Sequence, residues 1–182
     1  MVKNIALTGM MGVGKSTVGK ILAKKLNYNF IDVDKIIELK EGNSISSIFK
    51  NKGEIYFRKI ENDITMNELK KSKSVISLGG GAFINNLIRQ NTKKTSTSFW
   101  LDVPVEEIIK RLKNNKQRPL IINKNINETL KKIYFERKKI YNEADFRIKC
   151  SSLKSEEIVN KIIRSFYKNP KRKHLVINSE NS

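Results

Sequence analysis

The segment Gly9-Met10-Met11-Gly12-Val13-Gly14-Lys15-Ser16 constrains this chain more than any other stretch of it. Its G-x-x-x-x-G-K-S spacing follows the apolar run Ile5–Thr8 and leads into a stretch where Val18, Ile21, Leu22 and Leu26 share one helical face. A strand, a glycine-rich loop and a helix in that order make a phosphate-binding loop. The backbone amides of the loop and the helix N-terminus converge on phosphate oxygens that a Cβ would obstruct. Lys15 is expected to reach the β- and γ-phosphates and Ser16 to ligate Mg2+. Gly12, Val13, Gly14, Lys15, Ser16 and Thr17 are the expected ATP contacts. The order of glycines differs from G-x-G-x-x-G, which argues against a dinucleotide enzyme.

Further β-rich runs at Phe30–Asp32, Val75–Leu78, Ser98–Leu101 and Phe146–Lys149 alternate with helical patterns, predicting an α/β fold with a parallel sheet wrapped by helices. Ile158, Ile162 and Phe166 form the apolar stripe of a last helix, with Ser155 expected to cap it ahead of Glu156 and Glu157. Two stretches break the rhythm. Residues 34–61 and the Lys- and Asn-rich residues 113–127 are excursions of the kind that carry substrate or lid functions. The chain of 182 residues suits one domain, taken as residues 1–167, and residues 168–182 read as a basic, disordered tail.

Composition matters where it excludes chemistry. Cys150 and His174 are single, so neither a disulfide nor a Cys/His zinc site is expected. No apolar run is long enough to span a bilayer and no secretory signal is visible, so the cytoplasm is the expected location. The formal charge of +19 makes nucleic acid a rival partner, but the lysines are spread along the chain rather than gathered in a stripe.

Asp32-Val33-Asp34 closes the second expected strand, which would aim both carboxylates to one side at the sheet's carboxyl edge, one for a metal and one for a hydroxyl. Downstream come Gly53-Glu54-Ile55-Tyr56-Phe57-Arg58-Lys59-Ile60-Glu61, Gly79-Gly80-Gly81, Arg118-Pro119-Leu120, Glu136-Arg137, Tyr141 and Ala144-Asp145. In this order and spacing, from Asn4 to about Asp145, the set resembles the shikimate kinase family.

That resemblance implies a P-loop NTPase fold with a five-stranded parallel sheet, a substrate-binding insert and a lid. It also implies ATP-dependent phosphorylation of the 3-hydroxyl of shikimate. Asp32, with Ser16, would serve Mg2+. Asp34 would orient the attacking hydroxyl and take its proton. Arg58 and Arg137 would clamp the substrate carboxylate, since a guanidinium matches a carboxylate bidentately. Gly79, Gly80 and Gly81 would offer a backbone surface with positive φ open to it. Arg118 in the lid would join Lys15 at the transferred phosphoryl group, and Arg111 would lie against the adenine. Ser47 stands where the family carries an acidic residue, and a late basic nucleotide contact has no counterpart around residues 150–154. The expected partners are ATP and shikimate, with no specific nucleic acid and no membrane, and the expected state is a monomer. The rivals are a kinase for gluconate or a nucleoside monophosphate and, less closely, a nucleic-acid-binding P-loop protein.

Overall fold

The structure, a computed structural model, describes residues 3–113 and 126–168. The expected lid between them, with Arg118, and the tail beyond Lys168, with His174, lie outside the described residues. In chain order the elements are β1 (Asn4–Thr8), α1 (Lys15–Leu26), β2 (Asn29–Asp32), α2 (Val33–Glu41), α3 (Ile45–Glu68), β3 (Ser74–Ser77) and a 3-10 turn (Ala82–Ile84). They continue with α4 (Asn86–Thr95), β4 (Ser96–Asp102), α5 (Val105–Lys113), α6 (Ile126–Tyr141), β5 (Phe146–Lys149) and α7 (Ser155–Lys168).

The five strands form one parallel sheet in the order β2-β3-β1-β4-β5. Residues of β1, β3 and β4 are buried throughout, because helices cover both faces of a parallel sheet, whereas β2 and β5 are partly exposed at its edges. Strand β4 begins two residues before its apolar run. Ser96 and Thr97 pair with Asn4 and Ile5, so backbone hydrogen bonding recruits residues whose polarity hid them. Asp145 explains the polar Ser98 inside β4: its Oδ2 accepts from the Ser98 backbone N–H at 2.9 Å and from the Ser98 hydroxyl at 2.8 Å. The largest buried side chains include Trp100, Tyr141, Phe83, Phe99 and Phe166.

Two expectations change. Asp34 is not part of a strand: β2 ends at Asp32, which caps α2, and Asp34 falls in the first helical turn. The two carboxylates are therefore neighbours across a strand–helix junction and do not alternate along one strand. At the other end, Ser155 is the first helical residue of α7 and not its cap. Glu157 Oε2 instead accepts from the Lys154 backbone N–H at 2.7 Å, the return half of a capping box, while Glu156 meets Lys25 of α1 at 2.6 Å.

The insert over residues 34–61 is α2 followed by most of α3. Ser44 caps α3, and Gly53 breaks it at φ 80, ψ 170, a conformation that glycine reaches without strain. Cys150, just past β5, is buried, and burial pushes its thiol up to about 12. No helix among the described residues is long and apolar enough to cross a membrane.

Candidate active site

The loop after β1 curls through three left-handed glycines, Gly9 at φ 134, Gly12 at φ 77 and Gly14 at φ 95. Gly14 is the N-cap of α1, with no side-chain cap and no acidic residue in the first turn. A helix N-terminus of this kind leaves its amides and its positive dipole end for an anion. Lys15, nearly buried, is folded back over the loop: its Nζ donates to the carbonyls of Gly9 at 2.9 Å and Met10 at 3.0 Å. Ser16 Oγ donates to Asp32 Oδ2 at 2.6 Å, while Asp32 Oδ1 accepts from the Lys35 backbone N–H at 3.4 Å. Asp32 thus caps α2 with one oxygen and holds Ser16 with the other. Arg111 of α5 lies against the loop, 3.4 Å from the Val13 carbonyl, and pairs with Glu107. Thr17, one residue further along α1, is exposed.

Beside the loop opens a cavity of about 360 Å³, lined by Ser16 and Asp32 at one side and by Asp34, Arg58, Gly80, Gly81 and Arg137 at the other. Residues more than a hundred positions apart meet here because the ends of β1, β2 and β3 are adjacent at the carboxyl edge of the sheet, where such folds bind ligands. Gly79 lies against the acidic wall of the cavity. A Cβ on it would fall 2.3 Å from Glu61 Oε1 and 2.9 Å from Asp34 Oδ1, and one on Gly81 would fall 2.5 Å from Arg58 Nη1. None of the three glycines uses positive φ. Close approach, not backbone conformation, is the reason for their smallness.

Glu61 is the group that the sequence reading passed over. Its carboxylate is buried and takes Arg58 Nη1 at 2.6 Å. Burial pushes its pKa above the ordinary value, Arg58 and Arg137 pull it down, and Asp34 pushes it up. Arg58 also reaches Glu54 at 3.2 Å, and its guanidinium lies over the Phe57 ring at 5.2 Å. Acids four residues before and three after an arginine are the signal that would have found this network, since those spacings share a helical face. The apolar side of the cavity comes from Phe49 and Phe57, whose rings sit 4.5 Å apart. Two donors from α6 meet on the Gly80 carbonyl: Arg137 Nη1 at 3.0 Å and the Tyr141 hydroxyl.

The arrangement offers backbone amides of a kind that suits a polyphosphate and, next to them, a cavity with a carboxylate and two guanidinium groups in its lining. Among the described residues no group of three or more His, Cys, Asp or Glu could hold a metal by itself.

Comparison with known proteins gives the same picture from outside. The family model for shikimate kinase matches residues 11–167. A shikimate kinase of Sulfurihydrogenibium sp. is 45% identical over 163 residues, covering 88% of this chain and 96% of that protein. The structure of shikimate kinase from Acinetobacter baumannii in complex with shikimate superposes with a TM-score of 0.89 at 32% identity, covering 93% of this chain and 96% of that one. A gluconokinase from Sinorhizobium meliloti, at 16% identity and a TM-score of 0.61 with 97% of each chain covered, shares the fold alone.

Proposed function

The chain belongs to the shikimate kinase family, and on that premise we propose that it transfers the γ-phosphoryl group of ATP to the 3-hydroxyl of shikimate, a step of aromatic amino-acid biosynthesis. The observation that carries the proposal is the single cavity in which Asp34, Arg58 and Arg137 stand beside the phosphate loop.

In the proposed reaction the shikimate carboxylate lies between Arg58 and Arg137, which fixes the ring and presents its hydroxyls to Asp34. Glu61 holds Arg58 in place, so the clamp is set before substrate arrives. Asp34 accepts the O–H of the attacking hydroxyl and takes its proton as the oxygen bonds to phosphorus and the bond to the ADP oxygen breaks. Lys15 leaves the loop carbonyls for the phosphate oxygens. The amides of Gly12, Val13, Gly14 and Lys15, with Ser16 and Thr17 at the helix start, hold the nucleotide. Arg111 lies on its adenine side, and Arg118 stabilises the transferred group while water is kept out.

Ser16 Oγ and Asp32 Oδ2, two hard oxygens held together at the loop, fit Mg2+, an ion that takes few protein ligands and fills its shell with phosphate oxygens and water. Bound with ATP, it would neutralise phosphate charge during transfer. The enzyme in this proposal is a cytoplasmic monomer, a state that size-exclusion chromatography with light scattering would check.

An ADP-release assay with Mg-ATP tests the reading, with shikimate run beside gluconate and AMP and with Asp34→Asn as control. Shikimate-dependent turnover lost in the variant is the expected result. Turnover on another acceptor alone would overturn the substrate, and no acceptor-dependent turnover would overturn the function.

A further inference from the structure

Three consecutive glycines are the loosest stretch a backbone can contain, yet Gly79, Gly80 and Gly81 must hold a fixed surface beside the acceptor. Two of their carbonyls are held locally: Gly79 O accepts from the Ala82 N–H and Gly81 O from the Ile84 N–H, each at 3.1 Å, which forms the 3-10 turn. Gly80 O is held from another element altogether. It accepts from Arg137 Nη1 at 3.0 Å and from the Tyr141 hydroxyl, across 57 and 61 residues of chain. Arg137 and Tyr141 are four apart in α6 and so project from the same face of that helix.

We infer that Tyr141 is a positioning residue for the acceptor: its hydroxyl fixes the Gly80 peptide, and through it the Arg137 guanidinium and the glycine surface that shikimate meets. This rests on the reading of the cavity as the shikimate site. A carbonyl oxygen has two lone pairs, and here each has one donor. Removal of the phenol leaves Arg137 as the only described side-chain donor on Gly80, free to pull the peptide toward itself or to swing with it. Tyr141 is well placed to act as a fixed point. It is fully buried, its ring lies 6.0 Å from Trp100, and burial raises its pKa, so the hydroxyl keeps the proton it donates at any working pH. It touches neither the phosphate loop nor the two metal-fitting oxygens in any described contact.

Tyr141→Phe keeps the ring and removes the donor. Shikimate affinity by calorimetry and steady-state KM for both substrates would be measured in wild type and variant, with melting temperature alongside. The expected result is a roughly 3- to 10-fold rise in Kd and KM for shikimate, the scale of one neutral hydrogen bond, with KM for ATP unchanged and the melting temperature lowered by no more than a few degrees, roughly what the loss of one internal hydrogen bond gives. Unchanged shikimate parameters would overturn the inference. So would a variant in which both KM values worsen together with a melting temperature lowered further than that, since that pattern marks a merely structural contact. A wild-type protein that binds no shikimate would show the failure of the underlying reading before the variant is made, and the inference would fall with it.

Discussion

The two halves of the site are built in opposite ways. The phosphate side is eight consecutive residues, Gly9 to Ser16, running from the end of β1 into the first turn of α1, and its chemistry is mostly backbone: left-handed glycines, an uncapped helix start and one lysine. The proposed acceptor side is mostly side chain, assembled from Asp34 on α2, Arg58 and Glu61 on α3, and Arg137 and Tyr141 on α6. A local motif can recognise a group common to every nucleotide, whereas recognition of one particular acceptor requires charges brought together from distant parts of the chain. The two halves should therefore fail separately, and each variant below asks whether they do.

Asp34→Asn has the largest expected effect, a loss of about 100- to 10,000-fold in kcat, the range for a general base, with ATP affinity retained. A variant that loses ATP binding as well would show that the halves are coupled through α2. Next comes Lys15→Ala on the other side. A fall in kcat of about 100- to 1,000-fold, the scale of one lost charge-stabilising donor, should leave the Kd for shikimate alone. Calorimetry with shikimate in the absence of nucleotide checks that, and a weakened Kd would break the separation.

Glu61→Gln tests the acceptor side more finely. Arg58 keeps Glu54 but loses a buried charge partner, so KM for shikimate should rise about 10-fold while KM for ATP stays within twofold. Equal changes in both would mean that Glu61 supports the whole fold and not the clamp.

The smallest expected effect is a dependence of stability on pH. Burial holds the Glu61 carboxyl above its ordinary 4.5 in the folded chain, against the pull of Arg58. The folded state therefore binds that proton more tightly than the unfolded state, and its stabilisation is complete below about pH 4.5 and lost as pH rises through the higher folded value. Urea unfolding of wild type and Glu61→Gln between about pH 4 and about pH 8 should show the wild-type advantage shrinking with rising pH. An advantage that grows instead would mean that Arg58 outweighs burial.

The same contrast explains how much was legible in the sequence. Contiguous spacing disclosed the loop, the alternation of strand and helix, and the parallel sheet, because each depends on neighbours along the chain. Asp32, Asp34, Arg58, Gly80, Gly81 and Arg137 were named from the sequence and meet in one cavity. Their relations were not legible. Whether Asp34 continues a strand or begins a helix depends on Asp32 acting as a cap, which a run of apolar and acidic residues leaves open. Glu61 was visible as a residue but carried no role until Arg58 was seen at 2.6 Å. The short start of β4 at Ser96 and Thr97 is fixed by pairing with β1, and polar residues give no local sign of that.

The buried thiol of Cys150 has a practical consequence for observing this molecule at work. It is the one cysteine in the sequence, and a thiol pushed up to about 12 supplies almost no thiolate at neutral pH, so maleimide reagents should pass the native protein by. A cysteine introduced at Ile55, which is 90% exposed just beyond the Gly53 break, would then carry a fluorophore alone and report whether α3 moves as substrate is titrated.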